Sequence, residues 1–321
     1  MIEISNLSVG SCIKFGKKKV MNIQWEGVMP AVTTKFTSDD QLDLVNFEIN
    51  INAQLEAGVN GIILGGTLGE ASTLTDIEKR VLIKKTVEIV KGRVPVILNI
   101  AEQSTTVAID AAKKAMEYGA TGLMMLPPMR YKADARETVT YFKKVANSTL
   151  LPIMIYNNPV DYGIEVTLDM FEELSECKNI QAVKESTRDL SNVTRMRNRF
   201  GDRFKILCGV DTLALESLLM GANGWVAGLV CAFPNETVTI YKLVKAGRIQ
   251  EAIEIYSWFL PLLELDINTK LVQNIKLAEV ATGIGTEHVR EPRLPLVGEE
   301  RRRVLEIINN GIKTRPTLPK L

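Results

Sequence analysis

Ile180-Gln181-Ala182-Val183-Lys184 is a short apolar run that stops on a lysine. The run is continuous rather than alternating, which is the pattern of a parallel strand buried on both faces. Equivalent runs occur at Gly27–Thr33, Gly61–Gly65, Val94–Asn99, Gly122–Leu126, Pro152–Tyr156, Lys205–Gly209 and Gly224–Leu229. With Ile180–Lys184 they make eight, spaced by roughly 20–35 residues, the period of a strand followed by a helix. Helical stretches such as Asp76–Val90 and Thr105–Tyr118 lie between them, and Thr75-Asp76-Ile77-Glu78 opens the first of these as a capping box. Polar glycine turns, such as Ala57-Gly58-Val59-Asn60 and Met220-Gly221-Ala222-Asn223, precede the strands. Eight such units close into an α/β fold, a (β/α)8 TIM barrel. An open doubly wound sheet is the alternative, but no Gly-x-Gly-x-x-Gly follows the first strand.

Beyond Phe233-Pro234 the strand pattern stops. Helices are expected over 237–245, 249–265, 268–282 and 299–309, the first completing the barrel and the rest forming a C-terminal helical bundle. The expected organisation is therefore an extension over residues 1–20, a barrel over 21–234, and the last barrel helix with the bundle over 235–321. The extension has its basic cluster, Lys14, Lys17, Lys18 and Lys19, after its apolar patch, the reverse of a secretory signal. It reads as a loosely attached, disordered tail.

Composition narrows the function. A formal net charge of +1 in 321 residues gives no electrostatic hold on nucleic acid or an anionic membrane. No apolar stretch is long enough to span a bilayer. The four cysteines (Cys12, Cys177, Cys208, Cys231) form no metal-finger spacing and fit free thiols in a reducing cytoplasm. A single histidine, His288, makes a Ser-His-Asp triad or a His-rich metal site hard to build. No metal or organic cofactor is expected, because a protonated imine, the chemistry that Lys184 suggests, is itself the electron sink.

In a barrel of this kind the reacting groups stand at the C-terminal strand ends. Lys184 and Tyr156 end neighbouring strands, an amine beside a phenol. A desolvated lysine loses its charge and becomes a nucleophile for carbonyl carbon, and a tyrosine can move the protons. The plainer readings are an ion pair of Lys184 with Glu185 and a core position for Tyr156. Gly65-Gly66-Thr67-Leu68-Gly69 presents backbone N–H groups to a small anion such as a carboxylate, and lacks the Gly-Lys-Ser/Thr ending of a phosphate loop. Cys208-Gly209-Val210-Asp211 ends the seventh strand.

These motifs, from about Trp25 to the C-terminal helices, resemble the dihydrodipicolinate synthase and N-acetylneuraminate lyase superfamily of class I Schiff-base aldolase barrels. The resemblance implies that Lys184 forms the Schiff base and that Tyr156 transfers protons. It implies that Thr67 and Leu68 hold the carboxylate of a small 2-oxo or 2-imino acid, and that Gly209 and Asp211 line the pocket for the remainder of the substrate. It also implies a homotetramer. Three departures count against the lysine-biosynthetic 4-hydroxy-tetrahydrodipicolinate synthase. Leu68 replaces a hydroxyl residue of a proton relay, Met129 (followed by Arg130 and Tyr131) stands where a second tyrosine is donated across the tetramer, and Asp161 replaces an arginine that binds aspartate semialdehyde. Leu126-Pro127-Pro128-Met129, Cys208–Ser217, Trp225–Leu229 and Glu291–Leu296 are instead similar to 1-pyrroline-4-hydroxy-2-carboxylate deaminase of hydroxyproline degradation. On that expectation Lys184 attacks C2 of the cyclic imine, Tyr156 removes the C3 proton, the C4 hydroxyl leaves as water, and hydrolysis releases ammonia and 2-oxoglutarate semialdehyde. Pyruvate-releasing cleavage of N-acetylneuraminate or a 2-keto-3-deoxy sugar acid is the main rival, and a catalytically silent barrel that only binds a small acid is another.

Overall fold

The computed structural model describes residues 23–320. The expected extension over residues 1–20 lies outside them. Eight strands follow in order: β1 (Gly27–Pro30), β2 (Ile62–Leu64), β3 (Val96–Ile100), β4 (Gly122–Met125), β5 (Ile153–Asn157), β6 (Ile180–Glu185), β7 (Lys205–Cys208) and β8 (Gly224–Ala227). All their pairings are parallel, in the order β1-β8-β7-β6-β5-β4-β3-β2. A parallel bridge between Ala31 and Ile63 joins β1 to β2, with Asn60 N donating to Val28 O at 2.7 Å and Val32 N to Ile63 O at 3.0 Å. The sheet thus closes and the chain is a (β/α)8 barrel.

The strands are buried along nearly their whole length, as continuous apolar runs require. Helix 76–90 starts on the capping box expected of it: Thr75 Oγ1 accepts from Glu78 N, and Glu78 reaches back to Thr75 N at 2.8 Å. A second capping box, Asp134 with Glu137, starts helix 135–146. The eighth strand is shorter than its apolar run, because the chain breaks into a single 3-10 turn at Leu229–Cys231.

Helix Pro234–Lys245 completes the eighth unit, and helices Ile249–Leu263, Leu271–Ala281 and Gly298–Lys313 follow. A 3-10 turn, Glu264–Ile267, links the first two of these and carries Asp266 to the barrel mouth. Helix Leu271–Ala281 is tied to the barrel by two buried ion pairs, Lys276–Glu70 at 2.5 Å and Lys35–Glu279 at 2.9 Å. Breaking one partner of such a pair leaves an uncompensated buried charge, so the pairs fix where the bundle meets the mouth. No helix among the described residues is long and apolar enough to cross a membrane.

Candidate active site

The C-terminal strand ends open on a cavity of about 300 Å³ that Lys184, Tyr156, Thr67, Leu68 and Gly209 all line. Register explains the meeting of the first two: Tyr156 pairs with Lys184 across β5 and β6, so both side chains leave the sheet on one face at one height. Lys184 is 7% exposed and its Nζ lies 4.0 Å from the centroid of the Tyr156 ring. Burial lowers the pKa of the amine, and burial raises that of the Tyr156 phenol to about 12. The amine is thereby shifted toward its neutral, nucleophilic form and the phenol is kept protonated. Glu185 does not pair with Lys184. Its two oxygens accept from Thr187 N at 2.8 Å and Asn192 Nδ2 at 2.7 Å, which hold the loop after β6.

The turn after β2 owes its shape to glycine. Gly65 has φ +66°, and a Cβ on Gly69 would stand 3.0 Å from Gly65 N. Asn99 Nδ2 donates to Gly65 O at 2.9 Å and Thr34 Oγ1 to Gly69 O at 2.7 Å, so the turn is clamped from β3 and from the segment after β1. Glu70, with φ +52°, anchors its far end through Lys276 and the backbone N of Arg290.

Tyr-Asn-Asn-Pro after β5 also reads locally. Asn157 bonds Val166 in both directions, at 2.9 and 3.1 Å. Asn158 caps the single helical turn Pro159–Tyr162 and donates to Tyr156 Oη at 3.2 Å. That turn delivers Tyr162, which the sequence reading did not single out. Its Oη lies 2.6 Å from Thr67 Oγ1 and its ring packs edge-on to Tyr156 at 5.6 Å. Burial pushes its phenol up as well. Arg188 was missed too. It holds a left-handed φ of +64° in the loop after β6, lines the cavity, and lies 3.6 Å from Asp161. No periodic or strand-end signal marks either residue, since Tyr162 rides on a single isolated turn and Arg188 on a loop.

Asp211 departs from expectation. It is fully buried and does not line the cavity; its carboxylate accepts from Trp225 Nε1 at 2.8 Å, Leu229 N at 2.8 Å and Gly228 N at 3.1 Å. The side chain turns sideways to pin the end of β8, and these three donors leave it little capacity for substrate. Gly209 does line the cavity, and its lack of a side chain is what admits Lys184 beside it. Arg130 and Tyr131 do not line this cavity; Tyr131 is 57% exposed on the loop after β4.

The model of the dihydrodipicolinate synthetase family matches residues 24–310. The chain belongs to the dihydrodipicolinate synthetase family. A 4-hydroxy-tetrahydrodipicolinate synthase of Halalkalibacterium halodurans is 31% identical over 282 residues, which cover 88% of this chain and 96% of that one. The crystal structure of a dihydrodipicolinate synthase from Bacillus anthracis superposes with a TM-score of 0.87 at 29% identity, covering 92% of this chain and 100% of the other. A prophage protein of the family from E. coli K12, solved in complex with pyruvate, gives 0.84 at 27% identity, with 90% and 98% covered. The chain is thus an enzyme, a class I lyase of this family.

Proposed function

We propose that Lys184 is the Schiff-base lysine of this enzyme, and that its substrate is a small 2-oxo acid of the pyruvate type. The observation that carries the reading is the buried, desolvated Lys184 amine beside Tyr156 in the cavity under the Gly66-Thr67-Leu68 turn. The turn at Thr67 and Leu68 receives the substrate carboxylate. Lys184 attacks C2, the carbonyl oxygen leaves as water, and the protonated imine acidifies C3–H. Tyr156, Tyr162 and Thr67 form a hydroxyl cluster that carries protons to and from the adduct. The resulting enamine carbon then attacks an aldehyde, or in the reverse direction the C3–C4 bond breaks and pyruvate is released.

Among specific activities, the names of the relatives favour 4-hydroxy-tetrahydrodipicolinate synthase over the deaminase. Two departures that count against the synthase also lose force in the folded chain. Tyr162 brings a second phenol to Thr67 from within the same chain, and Arg188 brings a guanidinium to the mouth beside Asp161. The deaminase reading rests on the local stretches quoted above, and the sugar-acid lyase reading on Asp211 as a holder of sugar hydroxyls, a residue that does not line the cavity. A homotetramer is carried forward on the family resemblance and a cytoplasmic location on the cysteine pattern, and sedimentation of the purified chain tests the assembly.

One panel of assays separates the activities. Pyruvate with aspartate semialdehyde should be consumed. Ammonia released from 1-pyrroline-4-hydroxy-2-carboxylate would install the deaminase instead, and pyruvate released from a 2-keto-3-deoxy sugar acid the lyase. No turnover together with no borohydride-trapped adduct would leave only a binding barrel.

A further inference from the structure

Most charged and polar side chains at the mouth are already engaged. Asp161 faces Arg188 and Asn158, Glu185 holds its own loop, and Thr67 meets Tyr162. Asp266 is the acidic exception, Ser186 Oγ being another enclosed and unpartnered atom at the mouth. The residue reaches the cavity from the turn that follows helix Ile249–Leu263, yet its Oδ1 is fully enclosed and has no hydrogen-bond partner among the described residues. It lies against Gly228, where a Cβ would stand only 2.4 Å from that oxygen, and the Gly228 amide is already given to Asp211. Burial, then the nearby Asp211 carboxylate, push the carboxyl of Asp266 well above its ordinary range, while Lys184 pulls it back. Oδ1 is thus walled in against Gly228, while Oδ2, which accepts no hydrogen bond among the described residues either, is the oxygen left to meet a donor arriving in the cavity. Such a donor offsets the cost of burying the carboxylate.

We propose that Asp266 determines substrate selectivity by accepting a hydrogen from a hydroxyl, amino or ammonium group carried beyond C3. With C2 at Lys184 and the carboxylate at the Thr67 turn, the atoms past C3 are those left to meet the C-terminal segment. The site then favours substrates whose far end donates over those ending in a second carboxylate or an alkyl chain. Beside Asp266 a second carboxylate would meet the negative field of Asp211 as well, and the Arg188 guanidinium, which could otherwise draw it, is already engaged by Asp161 at 3.6 Å. This inference rests on the Schiff-base reading and names the distal chemistry of the same site.

The test is borohydride trapping with 4-hydroxy-2-oxopentanoate, 2-oxopentanoate and 2-oxoglutarate, read by adduct mass so that pyruvate freed by cleavage is counted apart. In the wild type the hydroxylated acid should half-saturate trapping at about tenfold lower concentration than the alkyl acid, with 2-oxoglutarate weakest. In Asp266→Ala that advantage should collapse, and in Asp266→Asn, whose amide oxygen can still accept, it should fall in part, while a pyruvate adduct still forms on Lys184 in both. Variants that keep the wild-type preference would overturn the inference, as would a wild type that takes 2-oxoglutarate best. Loss of the pyruvate adduct in both variants would also overturn it, making Asp266 a support for Lys184. If the wild type traps no 2-oxo acid at all, the Schiff-base reading itself fails.

Discussion

Gly209→Ala is the sharpest small perturbation available, because it adds one methyl against the Lys184 side chain without replacing the amine. A Cβ at this position would stand 2.6 Å from Cε and from Cγ of Lys184, and 2.1 Å from Ser186 Oγ. Ordinary contacts between carbon atoms lie at about 3.5–4.0 Å, so the lysine stem must retreat by about 1 Å. Gly209 does not need a left-handed backbone, so the strain is one of space alone. Overpacking of this kind costs about 1–3 kcal/mol of stability, which a barrel of this size survives. The larger effect falls on the chemistry, since misplacing a reacting group by about 1 Å can cost about 100-fold in rate. The assay is the rate of pyruvate adduct formation under borohydride, with the melting temperature measured alongside. A folded Gly209→Ala protein that traps pyruvate within twofold of the wild-type rate would refute the placement of Lys184 argued above.

Tyr162→Phe removes the phenol that meets Thr67 and should lower turnover by about 100-fold, a typical share for a proton-transferring group, while pyruvate is still trapped; unchanged turnover would remove Tyr162 from the proton path. Adduct formation should depend on pH through Lys184, whose pKa is lowered by burial. Only the neutral amine attacks, so the rate should rise with pH and level off well before the midpoint of about 10.4 of an exposed lysine; a rise centred near that value would contradict the desolvated amine. Asp211→Ala strands three donors at the end of β8 and should cost about 3 kcal/mol in denaturant unfolding, against near-neutrality if the residue merely faced substrate.

The barrel was legible because buried parallel strands leave continuous apolar runs, and the helices between them carry their own caps, as Thr75 and Glu78 do. Lys184 and Tyr156 were legible for a related reason. A strand end in a barrel has a known place, so a reactive residue type there already has an address. Asp211 shows the limit of that logic: its position after a strand end was read correctly, but the direction of its side chain depends on Trp225 and on the amides that follow the next strand. Tyr162 arrives on a single turn and Arg188 on a loop, and Asp266 comes from a segment distant in sequence whose docking is set by the buried pairs Lys276–Glu70 and Lys35–Glu279. Long-range approach of this kind leaves no periodic trace. The departures at Met129 and Asp161 were therefore visible in the sequence, while the Tyr162 phenol and the Arg188 guanidinium that stand at the mouth were not.

Peptide mapping of the full chain after borohydride reduction with pyruvate bears most directly on the whole account. One reduced pyruvyl adduct, on Lys184 alone and absent from Lys184→Ala, is the result the desolvated amine at the barrel mouth requires. An unmodified Lys184 peptide, or a Lys184→Ala protein that still turns over its substrate, would contradict it.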